Sequence, residues 1–147
     1  MKNILSFISS NHSRYLSELK ELLAIPSVSS QTRHRSDIYR AAKWLKIHLK
    51  NIGLKNTKII ETGGHPVVYA DWLNAAGKPT ILIYGHYDVQ PEDPVDLWKT
   101  PPFEAAVRRG RLYGRGTADD KGQIFMHIKA LEAFLHNGGS LPVNVKI

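Results

Sequence analysis

The chain has no cysteine among its 147 residues. That rules out a disulfide framework, a thiolate zinc site and a cysteine nucleophile. No apolar run approaches the ~20 residues that a membrane span requires. The apolar patch in "MKNILSFISSNHS" is shorter than a signal-peptide core, and no small-residue cleavage pattern follows it. These absences predict a soluble, cytoplasmic protein without a membrane partner. Also missing are internal repeats, low-complexity tracts, a Gly-x-Ser-x-Gly turn and a phosphate-binding Gly-Lys-Ser/Thr loop.

What is present is ordinary globular composition, 42% hydrophobic and 22% charged, enough for one domain with a core. The net charge is +7. Its only local clusters are Arg33-His34-Arg35 and Arg108-Arg109-Gly110-Arg111, and neither is interleaved with aromatic residues. A stacking surface for bases needs that interleaving, so no nucleic-acid partner is expected. A basic module that binds nucleic acid or an acidic partner without catalysis stays open as an alternative.

Apolar residues recur at helical spacing from His12 to Ala24, through Tyr15, Leu16, Leu19, Leu22 and Leu23. Pro26 and the serine-rich stretch after it end that helix. A second helix is predicted from about Ser36 to Ile52, with Ile38, Ala42, Leu45 and Leu49 on its apolar face. A third spans Lys121 to Asn137 and is closed by Gly138-Gly139. Strands are predicted over Thr57–Glu61, Val67–Trp72 and Thr80–Tyr84, at Leu112-Tyr113, and in the closing "PVNVKI". The continuously apolar Ile81-Leu82-Ile83 reads as a buried strand. Residues 90–102, rich in proline and aspartate, read as a long surface loop that Trp98 and Phe103 pack against the domain. The pattern predicts an α/β layered fold with a mixed sheet and one sheet edge exposed.

Two short stretches carry chemistry. In "YGHYDVQP", His86 and Asp88 follow a strand and, two residues apart, point to one side. Open α/β sheets bind ligands at the carboxyl ends of their strands. Imidazole is a common metal ligand, and a carboxylate on its other ring nitrogen orients it. A plain polar loop, with His86 capping the strand and Asp88 making a turn, accounts for the same residues. In "GRGTADDKGQ", Asp120 and Gln123 have the spacing of a capping box that opens the third helix. Asp119 has no such structural task and is free to ligate or bridge metal ions, although a purely structural loop also fits. His48 reads as a surface or boundary residue and His127 as a core or boundary residue. His12, His34, His65 and His136 read as exposed.

Together, "YGHYDVQP", "LWKTPPFEA" and "GRLYGRGTADDKGQ", with the earlier "LLAIPSVSS", closely resemble the di-zinc metallopeptidase family of dipeptidases, aminoacylases, acetylornithine deacetylase and succinyl-diaminopimelate desuccinylase. The wording is most similar to the dipeptidase branch, which includes carnosinase-like enzymes. The resemblance covers essentially the whole chain.

It implies a three-layer αβα zinc-exopeptidase-like catalytic domain, of which residues 1–147 form the N-terminal portion. His86 would ligate one zinc, Asp88 would orient His86, and Asp119 would bridge two zincs, followed by a cis peptide to Asp120. Manganese or cobalt would suit the carboxylate-rich site nearly as well. The activity implied is hydrolysis of dipeptides or related amides, with small peptides as substrates and a homodimer as the intact enzyme. The family's general-base glutamate, its remaining ligands and its smaller dimerisation domain have no counterpart here. The expectation is therefore at most one weakly bound zinc and no activity from this chain alone. A regulatory remnant is a further reading.

Overall fold

The computed structural model describes residues 2–147. Helices α1 (Lys2–Ser10), α2 (His12–Leu23) and α3 (Arg35–Asn51) open the chain. Strands β1 (Lys55–Ile60), β2 (Val67–Trp72) and β3 (Thr80–Leu82) follow. After a long loop come β4 (Ala106–Arg108), β5 (Arg111–Tyr113), α4 (Lys121–Gly138) and β6 (Asn144–Lys146).

Four strands form one sheet in the order β1-β2-β6-β3. Its β1–β2 and β2–β6 pairs are antiparallel and its β3–β6 pair is parallel, so the sheet is mixed as expected. The helices present the apolar faces that their spacing predicts. Leu22 of α2, Leu45 and Leu49 of α3, and Ile124 and Ile128 of α4 join Trp72 and Val145 of the sheet in one core. Ile128 is fully enclosed, and burying such a side chain contributes ~1.5–3 kcal/mol. Helix α4 stops at Gly139, whose φ of 64° lets its N–H reach the Leu135 carbonyl at 2.9 Å.

The structure departs from the sequence reading in several places. Helix α1 forms where only an apolar patch is evident; its Phe7 packs on the core and stacks on His136 at 4.3 Å between ring centres. Strand β4 completes a hairpin with β5, turned by the left-handed pair Arg109 (φ 51°) and Gly110 (φ 74°). The run Ile81-Leu82-Ile83 is not a buried strand: β3 lies at the sheet edge, and Leu82 is 72% exposed. An apolar run marks a strand without fixing how many neighbours it has. His127 is exposed, not a core or boundary residue. His34 is half-buried and paired with Asp37 at 2.7 Å.

The loop leaving β3 carries His86 and Asp88, and the loop entering α4 carries Asp119. The fold brings these two loops together.

Candidate metal centre

His86 stands between two carboxylates. Its Nε2 lies 3.0 Å from Asp119 Oδ1, and its Nδ1 lies 3.1 Å from Asp88 Oδ1. The orientation of His86 by Asp88 is the one that the two-residue spacing suggests. Asp119 is the most open of the three, its side chain 78% exposed, so it keeps an oxygen for solvent or an ion. The peptide joining Asp119 to Asp120 is cis.

Asp120 does not cap α4 with its side chain. Its Oδ2 instead accepts the backbone N–H of His86 at 3.1 Å, and Gln123 donates to the Ala118 carbonyl. The expected capping box is therefore absent, because the tertiary partner outcompetes the local one. Gly85 makes the approach possible: a Cβ there would sit 2.6 Å from Asp120 Oδ2.

Three further residues hold the site, and none was singled out from the sequence. Ser29 Oγ donates to Asp88 Oδ2 at 2.5 Å, fixing the carboxylate that orients His86. Ser27 Oγ donates to the Tyr87 carbonyl at 2.6 Å, and Val89 N–H returns to the Ser27 carbonyl. The ammonium of Lys121, two residues past Asp119, is fully buried and donates to the carbonyls of Leu22 and Ile25 at 3.0 and 2.6 Å. Those carbonyls, at and just past the end of α2, otherwise accept only the backbone N–H groups of Ile25 and Ser27, at 3.3 and 2.8 Å. Burial, aided by Arg40 and opposed by Asp88 and Asp37, brings the Lys121 pKa down to about 7. The Ser-x-Ser spacing and a lysine at a helix start were the only sequence signals for these tethers.

Burial pulls the His86 imidazole downward. The Asp88 carbonyl and the charges of Asp88, Asp119 and Asp120 outweigh it, so its net shift is up. The site thus attracts positive charge to its ring. Two ligand atoms on a tetrahedral zinc, each ~2.0–2.1 Å from the ion, stand about 3.3 Å apart. The 3.0 Å between His86 Nε2 and Asp119 Oδ1 is close to that separation. One imidazole and one open carboxylate are a fitting partial donor set for a borderline divalent cation.

A second grouping, Glu18, His48 and Glu132, also brings three ligand atoms together. Its cation is already supplied by the protein. Lys129 Nζ lies 2.5 Å from Glu18, 2.6 Å from Glu132 and 2.6 Å from His48 Nε2. Arg14 closes the other side on the same two glutamates. This is a closed ionic cluster between helices.

Residues 82–147, the segment containing His86, Asp88 and Asp119, match the model described as Peptidase family M20/M25/M40. The chain is 35% identical to the Cys-Gly metallodipeptidase DUG1 of Candida albicans, over 91% of this chain and 30% of that protein. It is 32% identical to the Beta-Ala-His dipeptidase of Homo sapiens, over 99% of this chain and 31% of that protein. It superposes on the crystal structure of human carnosine dipeptidase 1 with a TM-score of 0.92 and 32% identity, covering 99% of this chain and 33% of that one. The chain thus spans about a third of the length of the relatives it matches. Motifs, mixed α/β fold and matched segment agree in making this chain similar to the N-terminal third of proteins of Peptidase family M20/M25/M40.

Proposed function

We propose that this chain carries one half of a metal-dependent dipeptidase site, with His86 and Asp119 as ligands and Asp88 as the orienting carboxylate. The observation that carries the reading is His86 held between Asp88 and Asp119 at 3.1 and 3.0 Å. The metal is zinc, bound as a pair when the ligand set is complete, with manganese or cobalt as substitutes. When bound, such ions polarise an amide carbonyl and supply a water of usable pKa. The residues of this chain place and orient: Asp88 holds Nδ1 of His86, Ser29 holds Asp88, and Asp120 holds the His86 backbone.

Residues 1–147 are part of the catalytic domain of a cytoplasmic, homodimeric enzyme acting on small peptides. Among the described residues, no glutamate is hydrogen-bonded or ion-paired to His86, Asp88 or Asp119. This chain alone binds about one zinc weakly and hydrolyses no dipeptide.

Calorimetric titration of zinc into the purified chain tests this. One weak site that disappears in His86→Ala and in Asp119→Ala supports the assignment. Zinc binding unchanged in both variants rejects it. Dipeptide hydrolysis by the purified chain would reject the claim of inactivity.

A further inference from the structure

The turn between β1 and β2 reaches the metal centre from a distant part of the chain. Strand β2 runs antiparallel to β6, and β3 runs parallel to it. Strand β2 therefore begins at the end of the sheet where β3 finishes. His65 and Pro66, just ahead of β2, emerge at the same end as His86. His65 Nε2 lies 3.0 Å from the Ser29 carbonyl. A carbonyl only accepts, so Nε2 carries the proton and donates it. The next carbonyl, that of Pro66, accepts the Tyr87 hydroxyl. Two successive residues thus hold two different segments of the site.

The turn is braced for this task. Thr62 Oγ1 donates to the His65 carbonyl at 2.8 Å and accepts the Gly64 N–H at 3.0 Å. At the start of the turn, Glu61 accepts the hydroxyl of Tyr39 from α3 at 2.6 Å. Residues 27–29, 65–66 and 87–89 then form the three sides of a triangle. Ser27 and Ser29 join the first side to the third, through the Tyr87 carbonyl, the Val89 N–H and the Asp88 carboxylate. His65 joins the second side to the first, and Tyr87 joins the third to the second. A closed triangle fixes the placement of its sides, whereas two links leave a hinge. His65 is exposed, so its one hydrogen bond contributes little to global stability. Its effect lies in where it holds Ser29.

We infer that His65 is a positioning residue of the metal centre. Its Nε2–H holds the Ser29 backbone, so that the Ser29 hydroxyl meets Asp88 and Asp88 holds His86. It acts through Ser29 and not as a ligand. The consequence for zinc rests on the metal reading proposed above; the tether itself does not.

The test compares the 147-residue parent with His65→Ala and with His65→Gln, whose amide nitrogen stands in for the imidazole Nε2. In EDTA, His65→Ala should speed exchange of the Val89 amide, which donates to the Ser27 carbonyl, about tenfold at an unchanged urea midpoint. With zinc, competition with a chromophoric chelator should show affinity lower by about fivefold, less than the loss of a direct orienting partner costs. His65→Gln should restore both. In a Ser29→Ala background, His65→Ala should lower zinc affinity no further, since the path to Asp88 is already cut. Unchanged Val89 exchange in His65→Ala, no rescue by His65→Gln, or additive losses in the double variant would each overturn the inference. Faster Val89 exchange rescued by glutamine, in a chain whose parent takes up no zinc, would reject the metal reading and uphold the tether.

Discussion

Lys129 Nζ lies 2.6 Å from His48 Nε2, so the imidazole accepts a hydrogen bond from an ammonium and is held neutral. Burial is the larger cause and the Lys129 charge the next, and together they bring the His48 pKa down to about 4 from 6.5, against the pull of Glu18 and Glu132. Arg14 adds a smaller push in the same direction as Lys129.

The pH consequence follows from linkage. Below pH 6.5 the unfolded chain binds a proton at His48 that the folded chain refuses until about pH 4. Folding stability should fall as pH drops through that window, by on the order of 2–3 kcal/mol, with no further loss from this group below it. Urea denaturation across the window, on the parent and on His48→Gln, checks it. An equally steep acid slope in the variant would assign the loss to other groups.

Lys121→Met keeps the length of the buried side chain but removes its charge and both donors. The carbonyls of Leu22 and Ile25 then lose their charged donor and keep only the backbone N–H groups of Ile25 and Ser27. A loss of about 2–4 kcal/mol is expected, read as a lower urea midpoint at unchanged slope. A change under about 0.5 kcal/mol would mean that water replaces the ammonium.

Gly85→Ala and Gly63→Ala form a matched pair. The first puts a methyl 2.6 Å from Asp120 Oδ2 and 3.1 Å from Ile124 Cδ1, whereas the second meets nothing within 4 Å. The first should destabilise the fold by about 1–3 kcal/mol and the second by less than about 1 kcal/mol. Thermal unfolding of both proteins decides it. Equal effects would show that the Gly85 site relaxes freely.

Ser29→Ala leaves the proposed ligands untouched and frees the carboxylate that orients one of them. Zinc affinity should fall about tenfold, the lower end of what loss of an orienting partner costs at metal sites. The parent and variant are compared by competition with a chromophoric chelator. Equal affinities would remove Ser29 from the description of the site.

Much of this was legible in the sequence. The periodicities of α2, α3 and α4 locate their apolar faces, because those faces depend on local spacing alone. His86 and Asp88 are also a local pair, and the loop of Asp119 carries its own wording. The supports were not legible, since they join distant segments. Ser29 reaches Asp88 across 59 residues and Lys121 reaches Ile25 across 96. Asp120 shows the limit from the other side: its local pattern indicates a cap, and the folded chain gives its carboxylate to His86. Burial failed at β3 for a related reason, because strand order is not written in the strand.

The step from Asp119 to Lys121 turns one loop in two directions, a carboxylate into solvent and an ammonium into the end of α2. The loop therefore cannot open without breaking the closure of that helix. Fluctuations of the two should be one event: in native-state hydrogen exchange the amides of residues 20–25 and those around Asp119 should share an opening free energy, distinct from that of the β4–β5 hairpin. The end of α2, far from Asp119 in sequence, thus sets how long the loop of Asp119 keeps its shape.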